Sequence, residues 1–235
     1  MSTQGKLYLL PNLIADNTSN EALPNYNKDV MASIEYFICE HVKQLRVLLK
    51  ASGIPSPYDY LEYFELNKHT DELDISAFIK PLLEGKNMGL VSDAGCPGVA
   101  DPGAQVVALA HQNGIEVIPL VGPSSLLLAL MASGFNGQQF SFNGYLPQKE
   151  KDLKNKLQEL ERKAQQGSTQ LFIEAPYRNK KLFDYLVKNL RPNSKLCIAY
   201  NVMAPNASIN TKTIRDWQNE KPSFEKDPAV FILGS

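Results

Sequence analysis

The sequence predicts an α/β fold built as two lobes, and three observations carry that prediction. Short apolar runs alternate with stretches of helical periodicity along the chain, the pattern of a mostly parallel sheet flanked by helices. The run Met88–Val91 is continuously apolar, as in a strand buried on both faces. It empties into Leu90–Gly103, LVSDAGCPGVADPG, where Gly95, Gly98 and Gly103 alternate with Pro97 and Pro102. Glycine supplies positive φ and close backbone approach, and proline fixes φ. A loop so punctuated at the C-terminal end of a strand is where open α/β sheets bind ligands, although a tight strand-to-helix connection reads the same way.

Taken in order, Lys6–Leu10 is a first strand closed by Pro11. Asn12–Asn27 is polar and irregular and reads as a covering loop. Tyr36–Cys39 is a second strand. Leu45, Leu48 and Leu49 recur at helical spacing until Gly53 and Pro55 stop them. Tyr58–Phe64 is aromatic-rich and strand-like, and Leu73–Glu84 is helical up to Gly85. After Met88–Val91, a helix over Ala104–Gln112 stops at Asn113-Gly114, and Ile115–Val121 is another strand. Gly122-Pro123-Ser124-Ser125 then opens the second lobe, with Ser124 or Ser125 placed to cap an apolar helix over Leu126–Ala132. Strands follow at Phe140–Tyr145, Leu171–Glu174, Leu196–Tyr200 and Ala229–Leu233, with helices over Gln148–Gln166 and Lys180–Leu190. Asn206–Lys226 reads as a polar connection. The boundary is expected near Leu120–Pro123, giving lobes of 1–120 and 121–235.

Composition narrows the class. At 235 residues, with 43% hydrophobic and 21% charged residues, the chain is long enough for a proper core and ordinary for a globular protein. Its 24 basic and 25 acidic residues leave a net charge of −1, so any nucleic-acid contact must come from a local patch. Cys39, Cys96 and Cys197 are far apart and form no CxxC, and no basic-then-apolar leader opens the chain; both point to a reducing cytoplasm. The longest apolar run, Leu126–Ala132, is far short of the roughly 20 residues that span a bilayer, so no membrane partner is expected.

Several chemistries lack their residues. No GxGxxG follows a strand, and GxxxxGK[ST], GxSxG and HExxH are all absent. Cys39 and His41 stand two apart, too little for a metal site, and His111 near a helix end suits the helix dipole. No metal is expected. What remains are two Gly/Pro/Ser-rich loops, Ser92–Gly103 and Val121–Ser125, each following a strand, and a third strand end at Ile173–Arg178. Such ends would form a bed of backbone groups and small side chains for a flat heterocycle with a polar tail.

Four segments carry a resemblance. SDAGCPGVADPG at Ser92–Gly103 is similar to SDAGTPxxSDPG, VGPSSLLLALMASG at Val121–Gly134 to PGPSAxxxALxxSG, FNGYLPQK at Phe142–Lys149 to FxGFLPxK, and IEAPYR at Ile173–Arg178 to YESPHR. These resemble motifs of the tetrapyrrole methylase superfamily, in the branch that methylates a cytidine ribose 2′-hydroxyl of small-subunit ribosomal RNA. The resemblance implies two α/β lobes, a mostly parallel N-terminal sheet, a mixed C-terminal sheet and a cofactor cleft between them. It implies a methyltransferase using S-adenosyl-L-methionine, with ribosomal RNA or the small ribosomal subunit as partner, and a homodimer. By position, Pro11, Gly95, Cys96, Val99, Ala100, Ser124 and Ser125 would hold the cofactor, with Glu174, Ala175 and Val202 lining its adenine side.

For the acceptor's proton the carboxylates to consider are Glu40, Asp93 and Asp101; for Asp93 and Asp101, scaffolding of the loop through Asx-type bonds is the stronger reading of the residue types. Lys149, Lys151, Lys154 and Lys156, with Arg178, Lys180 and Lys181, either touch phosphates or form a solvated face shared with Glu150 and Asp152. The chain departs from the RNA-methylating pattern on the acceptor side. LPNLIADNT at Leu10–Thr18 stands for TPIGNLxDIT, CEHVK at Cys39–Lys43 for AEDTR, QKEKDLKNK at Gln148–Lys156 for a more basic run, and NVMA at Asn201–Ala204 for an ELTK-like element. Two other readings therefore stay open: the same cofactor with a tetrapyrrole or other small-molecule acceptor, and a cofactor-binding protein without catalysis.

Overall fold

A computed structural model describes residues 4–66, 70, 72–220, 222–224 and 226–235. Its chain divides into two compact units, Met1–Ser124 and Ser125–Ser235.

The first unit carries five strands: β1 (Leu7–Leu10), β2 (Tyr36–Cys39), β3 (Glu62–Glu65), β4 (Met88–Val91) and β5 (Val117–Pro119). They lie in the order β3-β2-β4-β1-β5, and every pairing is parallel. All five carboxyl ends therefore share one edge. Central β4 is buried at every position, as its unbroken apolar run requires. Gly89 in it takes no side chain, because a Cβ there would meet Leu10 Cδ1 at 2.5 Å and Phe37 Cδ1 at 3.0 Å. One sheet face buries Leu10, Phe37 and Val91 against Leu45, Leu48 and Leu49 of α3 (Val42–Ala51). The other buries Leu7, Ile38 and Leu90 against Val106 and Ala110 of α6 (Ala104–Gln112).

The second unit holds β6 (Phe140–Tyr145), β7 (Thr169–Ile173), β8 (Lys195–Tyr200), β9 (Ser208–Thr213) and β10 (Ala229–Gly234), in the order β6-β7-β10-β8-β9. This sheet is mixed: β6 and β7 are parallel, and the other pairings are antiparallel. Its core joins Phe172 and Phe231, stacked with ring centroids 5.8 Å apart, to Leu157 and Leu160 of α8 (Glu150–Gln165) and to Leu182, Phe183 and Leu186 of α9 (Asn179–Asn189). No described helix is long and apolar enough to cross a membrane.

Several expectations are corrected. The polar stretch Asn12–Asn27 is not all loop: it contains α1 (Ser19–Ala22) and the start of α2 (Asn25–Ala32). The helix α2 buries Asn27, Val30 and Met31, and Asn27 donates from Nδ2 to Val121 O at 2.7 Å, so one buried polar contact offsets a weak apolar pattern. The aromatic run from Tyr58 pairs as strand only over β3, since Tyr58 turns its hydroxyl to Ile54 O. The helix expected up to Gly85 is two pieces, α4 (Glu72–Phe78) and α5 (Lys80–Leu83), because Pro81 at a helix start cannot donate backward. Asn206–Lys226 also has structure: β9 pairs along all of β8, and α10 (Ile214–Gln218) is capped by Thr213, whose Oγ1 accepts from Asp216 N at 3.2 Å. The helix α7 (Ser125–Ser133) begins at Ser125. His69 lies outside the described residues.

Candidate active site

The carboxyl edge of the first sheet is where the two punctuated loops meet. After β1 the chain crosses to the loop after β4: Asn12 and Gly95 exchange backbone hydrogen bonds at 2.8 and 3.1 Å. Asn12 Nδ2 donates to the carbonyls of Ser92 and Asp93, both at 3.0 Å. Gly95 sits at φ +70°, where a side chain is strained, and an added Cβ would approach Ile14 and Pro123 O. Gly122 closes the cradle. A Cβ there would lie 2.2 Å from Pro11 Cβ, so the bare backbone of Gly122 packs on the Pro11 ring and joins the loops after β1 and β5. Cys96 Sγ reaches Pro123 O at 3.5 Å, and burial pushes this thiol up from its ordinary pKa. Thus Pro11, Gly95, Cys96 and the segment leading into Ser124 are assembled at one place. Ala100, at φ +65°, shapes the tip of the same loop, where Val99 is exposed.

Beside this cradle stands an acidic group. Asp93 follows β4 and Glu40 follows the neighbouring β2, and Asp93 N donates to Glu40 Oε2 at 3.4 Å. Asp101 shares their field: burial, then the charges of Glu40 and Asp93, push its carboxyl up to about 6. The three carboxylates singled out in the sequence are thus electrostatically coupled. Sequence reasoning passed over their partner. His41 Nδ1 lies 2.7 Å from Asp93 Oδ2, and that hydrogen bond and charge raise the imidazole above its ordinary pKa. The signal was its place one residue beyond Glu40, on a strand end adjoining Asp93. Cys39, buried among Glu65, Asp93 and Glu40, is pushed up to about 12 and stays a thiol. Among the described residues, no group of three or more His, Cys, Asp or Glu has the arrangement to hold a metal ion.

The second unit gathers the remaining candidates at one edge of its own sheet. The ends of β7 and β8 flank the start of β10, which places Glu174-Ala175 on one side and Val202 on the other. Val202 lies between Asn201 (φ +47°) and Met203 (φ +72°), a tight left-handed turn. Glu174 Oε1 accepts from Ala175 N at 2.7 Å and from Arg178 Nη2 at 2.5 Å. Arg178 also lines a cavity of about 250 Å³ with Gln148 and Lys181, and its Nε is buried without a hydrogen-bond partner among the described residues. Lys149 and Lys151 at the start of α8 are exposed and in no ion pair among the described residues, whereas Lys156 is bound to Glu159 and Lys180 to Asp184.

Comparison with known proteins decides the family. No family model matches the chain. A ribosomal RNA small subunit methyltransferase I of Leptospira biflexa is 35% identical over 206 residues, covering 87% of this chain and 82% of that protein. The chain belongs to that family. A relative of the same name from Haemophilus influenzae is 29% identical over 208 residues, covering 87% of this chain and 71% of its own length. Solved methyltransferases share the fold: CobJ superposes with a TM-score of 0.64 at 16% identity, covering 98% of this chain and 94% of that one. The cobalt precorrin-4 methyltransferase CbiF gives 0.60 at 14% identity, covering 97% and 94%.

The protein is therefore a methyltransferase that uses S-adenosylmethionine. The residues present fit that donor. Ser92 Oγ, buried and without a hydrogen-bond partner among the described residues, stands at the end of β4 beside the Asn12–Gly95 bridge, a polar atom free for a ligand at that sheet edge.

Proposed function

We propose that this family member transfers a methyl group to a ribose 2′-hydroxyl of small-subunit ribosomal RNA. The observation that carries the reading is the relative 35% identical over 206 residues whose name states small-subunit ribosomal RNA as its substrate. When bound, S-adenosylmethionine supplies a methyl already activated on a sulfonium sulfur. What is left to the chain is chiefly orientation, which can supply roughly 7–11 kcal/mol when reacting atoms are held in line, and a place for the hydroxyl proton.

In this reading Pro11, Gly95, Cys96, Val99, Ala100 and Ser124 hold the donor. The acidic group of Glu40, Asp93 and Asp101 bounds the acceptor, and Asp93 and Glu40 keep positive charge favourable where the hydroxyl proton is taken up. Lys149, Lys151 and Arg178 contact RNA phosphates. The protein works in the cytoplasm as a homodimer, for which α7 offers an apolar exterior at Leu127 and Met131, both more than half exposed.

The test is transfer of labelled methyl groups from S-adenosylmethionine to small subunits lacking the modification, followed by mapping of 2′-O-methyl riboses. One newly methylated ribose is the expected result. Transfer only to a small-molecule acceptor, or no transfer despite donor binding, would replace the reading by one of the other two.

A further inference from the structure

We propose that His41 is the general base of the transfer, taking the acceptor proton on Nε2, and that Asp93 positions it. This rests on the ribose reading above and names the proton acceptor within that site.

His41 stands at the N-cap position of α3, yet its side chain makes no capping hydrogen bond. It turns instead to the neighbouring strand end, where Nδ1 donates to Asp93 Oδ2 at 2.7 Å. A carboxylate on Nδ1 fixes the neutral tautomer so that Nε2 carries the lone pair. The ring is 68% exposed, and among the described residues no hydrogen bond engages Nε2. An oriented imidazole with its far nitrogen open to an arriving hydroxyl is the geometry that proton abstraction requires. In CEHVK this histidine occupies the place of the aspartate in AEDTR.

The surroundings suit the role. Asp93, just past β4, favours the protonated ring most, through its hydrogen bond and its charge; desolvation opposes this less strongly, and Glu40 past β2 and Glu65 in β3 add smaller favourable charge. An imidazolium formed during the reaction is therefore stabilised where it forms. The carboxylates are less free: Glu40 accepts from Asp93 N, Asp93 holds His41, and Asp101 is half withdrawn from solvent.

In the transfer, the acceptor O–H gives its proton to Nε2. An oxygen electron pair forms the bond to the methyl carbon as the carbon–sulfur bond breaks, and that bond's electrons remain on sulfur as a neutral thioether. The imidazolium then releases its proton to water.

His41→Asn separates base from scaffold, because the amide keeps a donor for Asp93 and loses the proton acceptor. The expected results are three. Single-turnover transfer to small subunits falls by about 10²–10⁴-fold in His41→Asn. The rise of wild-type rate with pH, which levels off at the imidazole pKa, disappears in that variant, while donor affinity by calorimetry is unchanged. NMR titration of the free wild-type protein finds His41 above its ordinary pKa, and lower again in Asp93→Asn. Wild-type rate and pH limb in His41→Asn would overturn the proposal, as would loss of the limb in Asp101→Asn alone. A wild-type protein that binds donor but methylates no subunit would instead remove the ribose acceptor, and the base assignment with it.

Discussion

Gly122 and Pro11 show how a single residue sets the cradle. A methyl group on Gly122 would sit 2.2 Å from Pro11 Cβ and 2.6 Å from its Cγ, and a proline ring cannot swing aside. Gly122→Ala is expected to cost about 1–3 kcal/mol of stability, read from denaturant unfolding, and to weaken S-adenosylmethionine binding in calorimetry. Asp101 gives a second prediction at this scale. Its folded-state pKa of about 6 lies above the ordinary value of 3.8, so folding favours its protonated form. That contribution is complete below about pH 4 and is lost as pH rises through about 6. Thermal unfolding across that window should show this loss, and Asp101→Asn should flatten it. The loop motifs were legible because glycine and proline act through local backbone geometry; Glu40, Asp93 and Asp101 could be named singly, but not their coupling. The His41–Asp93 pair was not, because it joins residues 52 apart in sequence and depends on strand order.

At the scale of elements, periodicity succeeded where one face of a segment is buried and failed where a polar contact or a partner strand decides. In α3, Leu45, Leu48 and Leu49 pack into the core while Val47 is half exposed. Leu48→Ala is therefore expected to cost about 2–5 kcal/mol, whereas Val47→Ala should stay within about 0.5 kcal/mol of wild type; urea unfolding compares them directly. The strands β4, β8 and β10 were readable as apolar runs. The strand β9, SINTKT, was not: its residues are polar, and it is a strand because β8 lies beside it along its whole length. The helix α10 was hidden likewise, its signal reduced to Thr213 as cap and Trp217 as anchor, with Trp217 Nε1 donating to Leu196 O at 2.9 Å. Thr213→Ala is expected to lower stability by about 0.5–2 kcal/mol, measurable as a shift in the unfolding midpoint.

At the scale of the molecule, two sheets of different pattern follow one another along the chain, and each presents strand ends at a single edge. In the first, parallel pairing alone brings the loops after β1, β2, β4 and β5 together. Sequence alternation announced that sheet but could not announce its strand order, β3-β2-β4-β1-β5, which puts β2 beside β4 and so Glu40 and His41 beside Asp93. With a net charge of −1, the proposed RNA contact falls to Lys149, Lys151, Arg178 and their neighbours. Charge-removing substitutions at those three positions should therefore reduce the salt slope of RNA binding by about one for each phosphate no longer neutralised, as fluorescence anisotropy would record.

The claim on which the account turns is that the carboxyl edge of the first sheet holds the methyl donor. Titration of S-adenosylhomocysteine into the isotope-labelled protein, followed at backbone amides, tests it most directly. Saturable shifts concentrated at Gly95, Cys96, Gly122 and Ser124 are the result the account predicts. No saturable shift at millimolar ligand, or shifts that leave residues 92–103 and 121–125 untouched, would contradict it.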